Sequence, residues 1–289
     1  MRIGVTLDLA TVSLADVPAL AAAVEEAALD LVWLAAPSGR PEVALAAAAT
    51  CAEPTRTVMI GAGTAVAEHH PLYLAEERHV ADQLLGGRLV LGLRGDDEAS
   101  LTEWADVLLA AAGTTPFAHR GPRHTIPAGL PQHTVNPETR VRVTPAPYAL
   151  EPTLWLLGRA APAVASAYAL SPVSEEDGAP VWRHLERSLG PACRRLRRPA
   201  VRTWDPGAED AVELARRLAA ERDGWGLDTT LLRLTPPPGM AAWHAALADL
   251  AVVVRPRLQQ ERLPAGLEEL WDAERTHQHT AGVEREVIT

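Results

Sequence analysis

Residues 58–95 read VMIGAGTAVAEHHPLYLAEERHVADQLLGGRLVLGLRG, and the change of texture along them decides the fold. Val58 to Val66 is short, apolar and punctuated by Gly61 and Gly63, the pattern of a strand. Pro71 to Leu85 has helical spacing, with Pro71 where a missing N–H costs little and Gly86-Gly87 where a helix can end. Leu89 to Leu93 is apolar again and short, a second strand. Strand, helix and strand in succession form one βα unit of a parallel sheet.

The same alternation extends in both directions. Strands are expected at Arg2–Leu9, Leu31–Ala35, Val58–Val66, Leu89–Leu93, Thr153–Leu157, within Leu170–Val173, at Ala200–Trp204 and at Thr229–Leu234. Helices are expected at 15–28, 41–52, 71–85, 97–112, 162–170, 181–196, 208–222 and 240–258. Eight strand positions interleaved with helices suit a single α/β domain, a (β/α)8 TIM barrel, better than an open doubly wound sheet. Thr114 to Pro152 is rich in Pro and Gly and reads as an excursion between the fourth and fifth strands carrying one hairpin. The barrel domain is expected to span residues 1–258, with residues 259–289 a polar, peripheral tail.

Composition narrows the function. A chain of 289 residues buries a full core without staples, and its two thiols, Cys51 and Cys193, lie in no metal or redox spacing. No run of about 20 apolar residues occurs. The expectation is a cytoplasmic protein, neither secreted nor membrane-embedded. A net charge of −10 disfavours nucleic acid, and the Arg194, Arg195, Arg197 and Arg198 run reads as a solvated helix end. All 27 basic residues are Arg, which excludes lysine Schiff bases and P-loop chemistry.

Short motifs are equally informative by their failures. Gly61-Ala62-Gly63 lacks the third glycine of a dinucleotide fingerprint, since Val66 stands there; small residues on a barrel strand instead admit a flat ligand or a close backbone. His69, His70 and His79 share no metal-binding face, so no metal site is expected, and His277 and His279 fall in the polar tail. Nucleophilic Ser or Cys signatures are absent. Trp33, Trp104, Trp155 and Trp243 read as core residues.

One constellation carries more. Pro71-Leu72-Tyr73-Leu74-Ala75, then Ala81-Asp82-Gln83-Leu84, then Gly86-Gly87-Arg88 and Leu91-Gly92-Leu93-Arg94-Gly95 resemble the signature of the bacterial luciferase-like superfamily of flavin- and deazaflavin-dependent oxidoreductases. Leu29-Asp30-Leu31-Val32-Trp33, His119-Arg120-Gly121, the segment 152–158 (PTLWLLG), Leu227-Asp228 and the segment 254–258 (VRPRL) extend the resemblance along the barrel.

The resemblance implies a cofactor site at the C-terminal strand ends, formed by Thr64, Ala65, Val66, Arg94, Gly95, Gly158 and Arg159, alongside Asp8 and Ala35. Thr64 to Val66 would pass beneath a flavin ring, Arg94 and Gly95 would lie near ring and phosphate, and Gly158 and Arg159 would face the phosphate. His69, His70 and His119 are the candidates for proton handling. The implied activity is a two-component monooxygenase that receives reduced FMN from a separate flavin reductase and oxidises a small organic substrate, with a homodimer as its form. A second reading is hydride transfer with a deazaflavin. Departures from the family pattern, Ala35-Ala36 after the second strand and Ala160-Ala161 after the fifth, support a third, a non-catalytic barrel serving as a binding or partner subunit.

Overall fold

The computed structural model describes residues 1–36, 42–66, 70–127, 139–149, 153–175, 186–187, 196–235 and 239–259. In chain order the strands are β1 (Arg2–Asp8), β2 (Leu31–Ala35), β3 (Met59–Ala65), β4 (Leu89–Arg94), a hairpin β5 (His119–Arg120) and β6 (Thr125–Ile126), β7 (Thr153–Leu157), β8 (Ser171–Pro172), β9 (Pro199–Trp204) and β10 (Thr229–Leu234). The hairpin apart, these pair in parallel in the spatial order β8-β7-β4-β3-β2-β1-β10-β9. The two ends of that order meet: the Ser174 amide donates to the Pro199 carbonyl at 3.0 Å and the Val201 amide to the Ser174 carbonyl at 2.8 Å. The sheet is thereby closed into a (β/α)8 barrel, and no open edge remains to be protected.

Helices α1 (Val17–Glu26), α2 (Glu42–Thr50), α3 (Pro71–Leu85), α4 (Glu98–Ala112), α5 (Ala161–Tyr168), α6 (Ala211–Trp225), α7 (Met240–Asp249) and α8 (Arg255–Gln259) follow their strands. Each strand alternates between two cores. Ile3, Val5 and Leu7 of β1, Val32 and Leu34 of β2 and Leu232 and Leu234 of β10 face the helices in the larger core. Leu31, Trp33, Val90, Trp155, Leu157, Val173, Val201 and Leu231 fill the barrel interior. Burying a side chain of this size is worth about 1.5–3 kcal/mol, so the strands' two-sided apolar pattern fixes them between layers.

Two helices differ from the sequence expectation for local reasons. α6 begins at Ala211 rather than 208 because the Asp210 carboxylate accepts from the Val212 and Glu213 amides, both at 2.8 Å, and sets the start there. The helix expected over 240–258 widens to a π turn at Leu250–Val254, where the Arg255 amide reaches back to the Leu250 carbonyl. Pro256 has no N–H and crowds the preceding turn, and widening relieves that conflict. Of the helix expected at 181–196, all but Glu186, Arg187 and Leu196 lies outside the described residues, as does the tail from 260 onward with its histidines.

The expected hairpin exists and is part of a strap across α3 and α4. Of the strap's described residues, Arg123 reaches Asp97 at the start of α4, and residues 145–149 lie along α3. There the His79 ring lies 2.9 Å from the Pro145 carbonyl, the Gln83 amide donates to the Ala146 carbonyl at 2.8 Å, and the Ala149 amide donates to Asp82 at 2.9 Å. No described helix is long and apolar enough to cross a membrane, and the described residues hold no cluster suited to a metal ion.

Candidate active site at the barrel mouth

Where β2, β3, β4 and β7 end, Trp33, Ala35, Ala36, Gly63, Thr64, Ala65, Arg94 and Leu157 enclose a cavity of about 120 Å³. That is close to the roughly 150 Å³ that admits a benzene ring, so the enclosed part has room for about one ring. Alternation along β3 points Gly61, Gly63 and Ala65 inward and turns Thr64 toward the helices, where its hydroxyl is buried without a partner among the described residues. Val66 packs against the outer core, and its amide donates to the Arg94 carbonyl at 2.7 Å.

The floor of the cavity is a tryptophan. A Cβ built on Gly61, Gly92 or Gly63 would lie 2.2, 2.4 or 3.1 Å from the Trp33 indole, which stacks on Trp155 with ring centres 5.4 Å apart. The flat body that requires small residues on β3 and β4 is therefore this chain's own indole, seated below the mouth. With Trp155 it fills the barrel interior beneath the C-terminal rim, the end where barrel enzymes carry their chemistry.

Arg94 stands at that rim with half its side chain exposed, and it is not free. Its guanidinium forks onto Glu175, beyond the end of β8, Nη1 donating to Oε2 at 2.8 Å and Nη2 to Oε1. Beside it, Gly95 and Gly158 bring two loops together. Gly158 has φ of +88°, and a Cβ there would meet the Gly95 carbonyl at 2.7 Å, so only glycine satisfies both the backbone and the space. The amides leading into α5 are occupied from within: Arg159 N–H by Asp96 at 3.3 Å, Ala160 N–H by the Gly95 carbonyl and Ala161 N–H by the Gly158 carbonyl, each at 3.3 Å.

The histidines gather elsewhere. His70 caps α3 by accepting from the Leu72 amide at 3.3 Å, and its ring meets His124 edge to face at 5.0 Å. His119 on the hairpin pairs with Glu103 of α4 at 3.2 Å. Glu103 is buried and also accepts from the His124 amide at 2.8 Å and the Arg123 amide at 3.2 Å. Burial opposes its charge, but the His124 amide, the His119 ring and the Arg123 amide together hold its carboxyl below the ordinary glutamate value. Burial pulls the His70 imidazole down, and the neighbouring His124 adds to the effect. His70 and His119 thus join in one dock for the strap, and neither lines the cavity. His69 lies outside the described residues.

Sequence reasoning missed Glu175 and Arg233 at the mouth and Glu103 and His124 under the strap. Arg233 carries a signal that could have been read, a charge within the otherwise apolar last strand. Glu175, just past the short β8, carries none.

A family model described as luciferase-like monooxygenase matches residues 1–170. Comparison with curated proteins finds no match. Among solved structures, similar folds include the coenzyme F420-dependent tetrahydromethanopterin reductase from Methanopyrus kandleri, 11% identical with a TM-score of 0.67, covering 89% of this chain and 99% of the other. The monooxygenase RslO1 from Streptomyces bottropensis is 16% identical with a TM-score of 0.67 over 89% of this chain and 99% of its own. The oxygenating constituent of 3,6-diketocamphane monooxygenase from Pseudomonas putida, in complex with FMN, is 14% identical with a TM-score of 0.65 over 91% and 99%. At these identities the likeness is one of fold.

Proposed function

The chain belongs to the luciferase-like monooxygenase family, and from that premise we propose that it is a reduced-FMN-dependent monooxygenase, supplied by a separate flavin reductase, acting on a small organic substrate at the mouth of its barrel. The observation that carries this reading is that the Arg94 guanidinium lines one cavity with the small residues Ala35, Ala36, Gly63 and Ala65. Small side chains let a planar ring lie close to backbone, and a guanidinium suits either a phosphate or an anionic reduced ring. The residues fit the ring directly. They fit a phosphate only by exchange, because Arg94 already holds Glu175 and the amide entering α5 already holds Asp96. An exposed ion pair is worth only about 0–1 kcal/mol, so such an exchange costs little.

Held at this rim by Arg94, a reduced flavin would supply two electrons to oxygen, or a reduced deazaflavin a hydride to the substrate. Arg94 holds the anionic part of the cofactor, and the Trp33–Trp155 stack seals the barrel from below, keeping water from the reacting face. His70 and His119 act as positioning groups for the hairpin, through His124 and Glu103. A homodimer remains the expected form.

The occupied anchors favour one second reading, a barrel that binds a partner or ligand without catalysis. Anaerobic titration with reduced FMN and with reduced deazaflavin, on the native protein and on Arg94→Ala, separates the readings. Preference for FMN, weakened about tenfold by Arg94→Ala, supports the proposal. Preference for deazaflavin transfers it to hydride chemistry, and retention of neither leaves the non-catalytic barrel.

A further inference from the structure

The charged side chains at the described strand ends around the mouth include Asp8, Arg94, Glu175 and Arg233. Arg94 and Glu175 satisfy each other, and the Asp8 carboxylate accepts from the Ala10 amide at 2.9 Å in the turn after β1. Arg233 is different. On β10, Leu232 and Leu234 belong to the helix-facing core and Leu231 to the barrel interior, so Arg233 shares the interior face. It is nonetheless exposed, which at the C-terminal end of a barrel strand means that it reaches into the open mouth. Among the described residues it has no hydrogen-bond or ion-pair partner.

Its neighbours in register are Thr6 on β1 and Thr203 on β9, both on the same interior face. Thr6 is only 3% exposed, and its hydroxyl is buried without a partner among the described residues. The buried Thr6 hydroxyl forgoes the hydrogen bond that water would supply, and beside it the exposed Arg233 guanidinium presents donors that no protein acceptor among the described residues takes up. In the closed barrel β10 lies four strands from β4 in either direction, so Arg233 faces Arg94 across the mouth, with the Trp33 floor between them.

We infer that Arg233, flanked by Thr6 and Thr203, recognises an anionic group, the carboxylate of the substrate, on the wall opposite the cofactor's guanidinium. The inference rests on the reading of Arg94 as the cofactor side and deepens it by assigning a substrate class: flat organic acids. A guanidinium binds a carboxylate through two parallel bonds, and the hydroxyls on either side offer further donors. A site so equipped discriminates strongly against a neutral analogue, because its donors are then left unpaired. The same chemistry would serve a cofactor phosphate, and the test separates the two sources.

The full chain, free of flavin, is titrated with benzoate and with benzamide by calorimetry, and separately with FMN and with riboflavin. The native protein is expected to bind benzoate at least tenfold more tightly than benzamide. Arg233→Gln should lose about tenfold for benzoate while its affinity for FMN stays unchanged, and Arg233→Lys should fall between, since it keeps the charge without the fork. Melting curves check that the variants remain folded, as expected for an exposed side chain. If Arg233→Gln weakens FMN but not riboflavin and leaves benzoate unaffected, the anion is the cofactor's phosphate and the substrate assignment is overturned. Equal binding of benzoate and benzamide, no binding of benzoate, or no effect of Arg233→Gln overturns it as well. Because the benzoate titration contains no flavin, its result does not depend on whether the flavin reading succeeds.

Discussion

Arg94 and Glu175 bind each other in a two-bond fork across the mouth of the barrel, although β7 separates their strands and 81 positions separate them in the chain. The pair neutralises the guanidinium that ends the family signature. With both side chains partly exposed, it works as an exchangeable contact rather than a structural clamp.

Glu175→Gln is therefore expected to tighten FMN binding by up to about fivefold, the equivalent of ~1 kcal/mol for an exposed pair, and to leave riboflavin unchanged. Fluorescence titration of both flavins measures it. An unchanged FMN affinity means that Glu175 and phosphate do not compete for Arg94.

Gly61→Ala places a methyl group 2.2 Å from the Trp33 ring, and either the indole or the strand must move. Overpacking of this kind is expected to cost about 1–3 kcal/mol in urea unfolding. The loss should shrink when Gly61→Ala is combined with Trp33→Leu, because the clash is gone; equal losses in both backgrounds would show that Trp33 is not the obstacle.

Acid should loosen the strap. The folded values of Glu103 and His70 both lie below their ordinary values of 4.5 and 6.5. A depressed value means stability that is complete above the ordinary value and is lost as pH falls through the folded one. Unfolding free energy is expected to fall below pH 6.5 as His70 takes up a proton, and again below pH 4.5 as Glu103 does. Glu103→Gln should cost about 1–3 kcal/mol at pH 7 and flatten the lower step. A profile identical to that of the native protein would remove Glu103 from the dock.

Cys51 is buried, and its thiol is pushed up to about 11, chiefly by that burial. In a Cys193→Ser background at pH 8, an aromatic disulfide reagent is expected to label Cys51 only as the protein unfolds. Rapid labelling under native conditions would show that α2 opens readily.

The βα alternation was readable because it is local. Pro71 and Gly86 bound α3 through backbone geometry alone, and the helix spans Pro71–Leu85 in the structure as in the sequence. The start of α6 and the π turn at Leu250–Val254 were not, since a side-chain cap at Asp210 and the strain before Pro256 outweigh average propensity. Gly61 and Gly63 announced a close approach in the sequence without revealing what approaches. Trp33 lies on a different strand, and only the sheet's register brings it against them.

The amino-acid sequence by itself determined the succession of strands and helices, the barrel it implies and the family signature ending at Arg94. Those features depend on side-chain period and on backbone rules that act within a few residues. Tertiary structure alone decided that Glu175 holds Arg94, that Arg233 faces it from the opposite wall and that a tryptophan floors the mouth. The first and third depend on the register of neighbouring strands, and the second on closing the sheet between Ser174 and Ala200, which sets which strand ends oppose each other across one rim.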